Sequence, residues 1–520
     1  MSLSWQCRWL GLPAISLLLA TAASAQQYPF PQHTLQTPGS ILPTNYPQSQ
    51  LDADVRAFYD YWKLTYLKTA GTTPDGRTRY RVAFNKDAPE SNSTVSEGQG
   101  YGMLIVPLMA GHDPAARAIF DGLYEFAKAH PSPGDARLMD WKIPRDAGAG
   151  GSSAFDGDAD IAHGLLLAHA QWGSTGTVNY SAAANTWLAG ILAATIGQSS
   201  RLPTLGDWAS PTSAKQYQPR SSDLMPGHFR AWARHTGNPV WNTVTANCSS
   251  VATAIQANHS ATTGLLPDFI INANPPSSSQ PANAGFLEGA NDGNYYYNAG
   301  RVPWRLGVDA LLNEDATASR TQALKITSWV KTSTSGNASN IRAGYKLDGT
   351  NISGNNYLSS FFAAPMGVAS MLDPAHQAWL NSIYAAVRTK HEDYFEDTVN
   401  LLCLIAMSGN YWDPTTIARQ PELIRRHALP PDGKMMLEST RPERILSFHV
   451  NPAAMRYGLV LERTSDFGTW TTLATRAAGT TTFQAGPAGV TILSQTNPVR
   501  IRDSSASLDL SHFYRVRIGN

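Results

Sequence analysis

The chain has 520 residues, room for two or three domains, with 42% hydrophobic residues to build a large core. A net charge of +1 excludes the strong basic field of a nucleic-acid binder or of a protein held on an anionic membrane surface. Aromatic residues make up 10%, with 14 Trp and 20 Tyr, a surplus that suits a cleft stacking on flat neutral ligands such as sugar rings.

Residues 1–25 carry a processing signal: Arg8 supplies positive charge, Leu10 to Ala23 the apolar segment, and Ala23-Ser24-Ala25 a small-residue cleavage site. The apolar run is short for a bilayer span and no later one is longer, so the mature chain is expected to be secreted and free of the membrane. Residues 26–50, rich in Pro, Gln and Thr, form an extended lead-in. From 51 to 418 helical patterns dominate. Twelve helices are expected near 52–69, 99–111, 114–129, 158–173, 182–196, 222–236, 239–257, 301–313, 318–333, 358–371, 374–389 and 394–408. Asp113-Pro114 and Asp373-Pro374 each place a capping side chain before a first-turn proline. In 114–129, Ile119, Leu123 and Phe126-Ala127 share one face. Residues 419–444 are charged and Pro-containing and read as a linker. From 445 to 520 the period becomes two, as at Tyr457, Leu459 and Leu461, which predicts a small all-β, sandwich-like domain serving as a spacer or, with Trp470 as its one tryptophan, as a sugar-binding module. Cys7 leaves with the signal. Cys248 and Cys403 are free to pair or to stay buried as thiols, and no Cys/His spacing suggests a metal.

Three segments carry chemistry. In Ser96-Glu97-Gly98-Gln99-Gly100-Tyr101-Gly102-Met103 one carboxylic acid sits among small residues, with the apolar run 103–110 behind it. Partial desolvation there raises a carboxyl pKa and makes a general acid. In 154–160, Asp156, Asp158 and Asp160 alternate before a helix, where capping alone explains at least one of them. A calcium loop is excluded because Ile161 replaces the glycine at its sixth position and Leu167 the glutamate at its twelfth. The third segment, 283–305, packs Glu288, Asp292, Asn298, Arg301 and three tyrosines into one loop, the makings of a polar ligand cleft.

Together with Arg220-Ser221-Ser222-Asp223-Leu224-Met225 and Tyr394-Phe395-Glu396-Asp397, these segments resemble, in order, the motifs of glycoside hydrolase family 8 over about residues 50–412. The resemblance implies an (α/α)6 barrel and inverting hydrolysis of β-1,4-linked polysaccharide, with no cofactor and no metal. Glu97 matches the family's acid, and Asp156 the aspartate that binds the sugar at the scission point; Asp158 is a weaker candidate for that role. Many members carry an aspartate base where this chain has Asn298, and a neutral amide takes no proton. In the Asn subgroup, whose chitosanases resemble this loop, a preceding glutamate takes over; Glu288 matches it, and Asp292 is the runner-up. Arg301, Trp141, Tyr217 and Tyr394 are expected to line the substrate cleft. The reading is a secreted, monomeric, endo-acting β-1,4-glucanase. Its alternatives are a chitosanase, a β-1,3-1,4-glucanase and, if neither Glu288 nor Asp292 accepts a proton, a non-catalytic glycan-binding protein.

Overall fold

A computed structural model describes residues 26–34, 36–145, 151–420, 435–437, 444–450, 458–477, 480–495, 498–504 and 512–519. The processing signal and most of the linker lie outside them. Twelve α-helices occur among the described residues: α1 Gln48–Tyr66, α2 Ser96–Leu108, α3 Ala116–Ala129, α4 Phe155–Trp172, α5 Tyr180–Ala194, α6 Pro226–Thr236, α7 Val240–Asn258, α8 Val302–Leu312, α9 Thr317–Ser333, α10 Ser360–Ser370, α11 Gln377–Val387 and α12 Tyr394–Met407. Each expected helix is present, with ends shifted by a few residues. At α6 the start moves four residues, because Ser221–Asp223 forms a separate 3-10 turn and the helix waits for Pro226 at its first position. At α3 the expected cap is not made: the helix starts at Ala116 after Ala115 with no side-chain cap, and Asp113 closes the turn before it, its Oδ1 accepting from the Ala115 backbone N–H at 2.9 Å and its Oδ2 from Tyr59 and Lys63. Asp373 does cap: it accepts from Ala375 at 2.8 Å and opens a 3-10 turn that leads into α11.

The helices alternate between two environments. α3 is amphipathic and buries Ile119, Phe120, Leu123 and Phe126 on one face. Every residue of α10 is buried, and nearly every residue of α2, α4 and α12. A helix apolar all round belongs inside. Contacts run α2 to α4, α4 to α6, α6 to α8, α8 to α10, α10 to α12, and α12 back to α2, so the even-numbered helices form a ring. The odd-numbered helices flank it, the neighbour order an (α/α)6 barrel requires. α2 and α4 cross closely because glycines face the contact: a Cβ on Gly164 would lie 2.7 Å from the Met103 carbonyl oxygen, and one on Gly100 would lie 2.7 Å from Asp160 Cβ.

The lead-in is a strap across the far end of this ring. Backbone N–H groups of Gln27, Phe30, Thr34, Thr37 and Ile41 donate to the carbonyls of Gln171, Ala110, Gly409, Leu311 and Met371, at or just past the C-termini of α4, α2, α12, α8 and α10. Helix C-termini leave carbonyls without partners, and the strap supplies them. Cys248 and Cys403 are both buried free thiols.

The C-terminal unit pairs two antiparallel four-stranded sheets. One orders strands Gln484–Ala485, Thr471–Arg476, Gly458–Thr464 and Phe513–Gly519; the other orders Val490–Ser494, Val499–Asp503, Arg444–Phe448 and Met436–Leu437. Leu446, Phe448, Leu459, Leu461, Leu473, Val499 and Ile501 share its core. The expected alternation places Leu459 and Leu461 inward; Tyr457 lies outside the described residues. The second sheet starts upstream of position 445, since Met436 pairs with Ser447. So short an edge strand, within a charged segment, has no period to read. Trp470 does not offer both faces: the Arg515 guanidinium lies 3.7 Å from its ring centre.

Gly164→Ala is expected to lower unfolding stability by about 1–2 kcal/mol in urea titrations. The new methyl meets backbone that cannot rotate away, and that overpacking outweighs the helix-propensity gain of roughly 1 kcal/mol.

Candidate active site

Because the even-numbered helices all run the same way through the ring, their N-termini meet at one end. Glu97 and Asp156 are the second residues of α2 and α4, Arg220 and Asp223 lie just before α6, Arg301 immediately precedes α8, and Tyr394 opens α12. Helix N-termini favour negative charge nearby, which suits the acidic side chains collected here.

Arg301 stands at the centre, 1% exposed. Its Nη1 donates to Glu97 Oε2 at 2.7 Å, to Asp156 Oδ2 at 2.9 Å and to Tyr101 Oη at 3.1 Å, while its Nη2 donates to Asn298 Oδ1 at 2.9 Å. Arg220 Nη1 donates to the same Asp156 oxygen at 2.7 Å, and Tyr394 Oη donates to Glu97 Oε1 at 3.0 Å. A second tier repeats the pattern one helical turn deeper. Arg305 grips Asp160 through two bonds of 2.8 and 2.6 Å, and His228 Nε2 lies 2.8 Å from the same carboxyl. The steps from 97 to 101, 156 to 160 and 301 to 305 are all i,i+4, which keeps each pair on one helix face.

The two carboxyls on Arg301 are driven apart electrostatically. Burial pushes Glu97 up to about 7, against the pull of Arg301, with the negative Asp156 adding to the rise. Burial alone would raise Asp156 too, but Arg220 and Arg301 together hold it below the usual carboxylate range. One carboxyl therefore keeps its proton near neutrality while its neighbour stays ionised.

Glu288 reaches the cluster from another direction. It is exposed on the loop preceding α8, and its Oε2 accepts from Asn298 Nδ2 at 2.8 Å. Asn298 therefore links a carboxyl to a guanidinium, facing Glu288 with its N–H and Arg301 with its carbonyl. Asp292 has different work. Its Oδ2 accepts from the backbone N–H groups of Leu287 and Glu288 at 2.7 and 3.1 Å, and its Oδ1 from Gly289 at 2.9 Å. Both of its oxygens are turned into its own loop, which fixes the backbone that carries Glu288. Asp158 is also internal: it is fully buried, and its Oδ1 accepts from the Met139 N–H and from Trp187 Nε1, both at 2.9 Å.

Trp141 is brought to the cluster by backbone. Its carbonyl accepts from Ser96 N–H at 2.8 Å, beside the two-residue pairing of Thr94–Val95 with Lys142–Ile143, and its indole is 36% exposed. Tyr217 is half-buried at the end of a 3-10 turn, where its carbonyl accepts from Ala273. The expected residues thus divide. Glu97, Asp156, Arg301, Asn298, Glu288 and Tyr394 form one hydrogen-bonded set, Asp158 and Asp292 support it from within, and Trp141 and Tyr217 lie on surrounding segments. Three members of the cluster were not singled out from sequence. Tyr101 lies one turn from Glu97, and Arg220 opens a motif already noticed; both signals were available. Asp268, buried beneath Asn298, follows Pro267 in a loop without period, and nothing in the sequence marked it.

Residues 49–409 match the profile of glycosyl hydrolases family 8. A beta-glucanase of Niallia circulans is 42% identical over 394 residues, covering 75% of this chain and 93% of that protein. An endoglucanase of Bacillus sp. (strain KSM-330) is 38% identical over 400 residues, covering 76% and 84%. Among solved structures, the apo β-1,3-1,4-glucanase from Paenibacillus sp. X4 superposes with a TM-score of 0.70 at 42% identity, over 75% of this chain and all of the other. With its motifs in order, its helices in a ring and its carboxyls gathered at one end, the chain belongs to glycosyl hydrolases family 8 and is a glycoside hydrolase.

Proposed function

We propose that this chain is an endo-acting β-1,4-glucanase that cleaves with inversion across its (α/α)6 barrel, Glu97 serving as acid and Glu288 as base. The observation that carries the reading is the pair itself. A partly buried carboxyl poised to hold a proton and an exposed carboxyl on a separate loop are joined through Arg301 and Asn298.

Inversion needs one group to protonate the leaving oxygen and another to take a proton from the attacking water on the opposite face of the sugar. Glu97, protonated below about pH 7, gives its proton to the glycosidic oxygen. As that bond lengthens, positive charge develops on the sugar ring. Asp156, kept ionised by Arg220 and Arg301, stabilises that charge and holds the distorted ring by its hydroxyls. Glu288 takes the water's proton as its oxygen bonds to the anomeric carbon. Tyr394 and Arg301 hold the Glu97 carboxyl in place while its charge changes. The exposed indole of Trp141 offers a face on which a sugar can stack.

The two relatives at 42% identity, named as a beta-glucanase and a β-1,3-1,4-glucanase, favour mixed-linkage glucan as a second reading of the substrate. Reducing-end assays on carboxymethylcellulose, mixed-linkage glucan, chitosan and xylan separate the possibilities. Highest kcat/KM on the first supports the β-1,4-glucanase, and on the second the mixed-linkage enzyme; on chitosan it would restore the chitosanase alternative. We also read residues 1–25 as an export signal and the mature enzyme as a monomer. Intact mass of the exported protein should begin at Gln26.

Glu97→Gln and Glu288→Gln are each expected to lower kcat by roughly 10²–10⁴-fold with unchanged circular dichroism and unfolding midpoint. Full turnover in either variant would remove that residue from its role. NMR of the first product should show the α-anomer; the β-anomer would exclude inversion.

The pH profile tests the acid directly. A general acid works while protonated, so kcat/KM should fall as pH rises through about 7. The Tyr394 hydroxyl stabilises ionised Glu97 and lowers its pKa. Tyr394→Phe should therefore raise that pKa and move the alkaline limb to higher pH; a limb that stays put or moves down would dissociate it from Glu97.

A further inference from the structure

We propose that Asp268, a residue outside the acid and base themselves, is the positioning residue of the base: it folds the turn 296–299 and orients the Asn298 amide toward Glu288. The inference rests on the reading of Glu288 as base.

An asparagine amide has two ends of nearly the same shape, and only its neighbours decide which way it points. Three neighbours decide here. Arg301 Nη2 needs an acceptor and meets Asn298 Oδ1 at 2.9 Å. Glu288 Oε2 needs a donor and meets Asn298 Nδ2 at 2.8 Å. Asp268 Oδ2 lies 3.4 Å from the same Nδ2 and backs it from the protein side. Rotating the amide by half a turn would set oxygen against two carboxyls and nitrogen against a guanidinium.

Asp268 also builds the backbone on which Asn298 sits. Its Oδ1 accepts from the N–H groups of Tyr296 at 2.9 Å and Ala299 at 2.7 Å, closing the turn on both sides of Asn298. It is itself anchored, since its N–H donates to Asn294 and its carbonyl accepts from Ser221, next to Arg220. Both of its oxygens face N–H groups of the protein, those of Tyr296, Ala299 and the Asn298 amide, so its effect passes through Asn298. Asp292 shapes the Glu288 backbone from one side while Asp268 sets the partner of its side chain from the other.

The consequence for chemistry is in where the base points. Donation from Asn298 fixes the direction of the Glu288 carboxyl. Burial pushes Asp268 up to about 7, so replacing it with asparagine changes no charge below that pH. In Asp268→Asn the new amide nitrogen faces the Asn298 nitrogen, donor against donor, and Glu288 loses its partner.

The test is kcat and KM for the full chain and its Asp268→Asn, Asn298→Ala and Glu288→Gln variants on soluble β-glucan. Asp268→Asn should lower kcat roughly 10–100-fold, as expected for a displaced reacting group, with KM little changed. Asn298→Ala, which leaves both turn N–H bonds to Asp268 in place, should lower kcat in the same way with KM little changed, and it decides the question if Asp268→Asn does not fold. Wild-type kcat in the folded variants would overturn the proposal even if stability drops. An inactive Glu288→Gln beside an unaffected Asp268→Asn defeats the positioning role alone; an active Glu288→Gln defeats both this role and the base assignment.

Discussion

The site depends on one buried guanidinium. Arg301 is almost without solvent, and an isolated charge there would cost several kcal/mol. It is tolerated because Glu97, Asp156, Tyr101 and Asn298 meet its nitrogens in fitting geometry. Glu97 and Tyr101 come from the first turns of α2, Asp156 from the start of α4 and Asn298 from the turn before α8. The ion cluster therefore couples the ends of α2, α4 and α8, and a shift in any of them strands charge. Arg305 with Asp160 repeats the coupling one turn down, which makes helix register rather than loop conformation the determinant of where the acid sits.

That arrangement requires a ring with a distinguishable top and bottom. At the top the N-terminal dipole ends converge and acidic groups are favoured. At the bottom the C-terminal carbonyls need donors, and residues 27–41 supply five backbone N–H groups in passing from α4 to α10. A segment without helix or strand thus contributes where chemistry is absent, and leaves the opposite end free of capping residues that would crowd a polymer chain. The glycines between α2 and α4 serve the same end by letting Glu97 and Asp156 come within reach of a single arginine nitrogen.

Much of this was legible in the sequence, and the reason is periodicity. All twelve helices announce themselves through apolar spacing, and the acid, its aspartate neighbour and the loop carrying Glu288 stand out through composition. What stayed hidden is directional. Asp156, Asp158 and Asp160 look alike in a row, yet helical rotation points Asp156 at the arginines, Asp158 at the Met139 amide and Trp187, and Asp160 at Arg305. Glu288 and Asp292 were rivals on paper because distance along the chain does not say which carboxyl folds back on its own amides. Asp268 was invisible for a similar cause: its partners are backbone N–H groups some thirty residues away. The strap read only as extended chain because its bonds go to carbonyls, which leave no side-chain signature.

The two proposed catalytic carboxyls also differ in how firmly they are held, and the difference follows from their tasks. An acid must keep a proton near neutrality, which water opposes; desolvation supplies the rise, and so Glu97 sits on a helix, 17% exposed, with both oxygens bonded. A base must be ionised and must meet a mobile water, which desolvation would penalise. Glu288 accordingly stands in solvent on a loop, and the order it lacks is lent to it by Asn298 from the side and by Asp292 through the backbone. On the proposed assignment, an amide at position 298 that holds a glutamate from the loop sets the proton acceptor outside the ring. The distance from acid to base then becomes a property of a loop, which can change in length without disturbing the ring that holds Arg301.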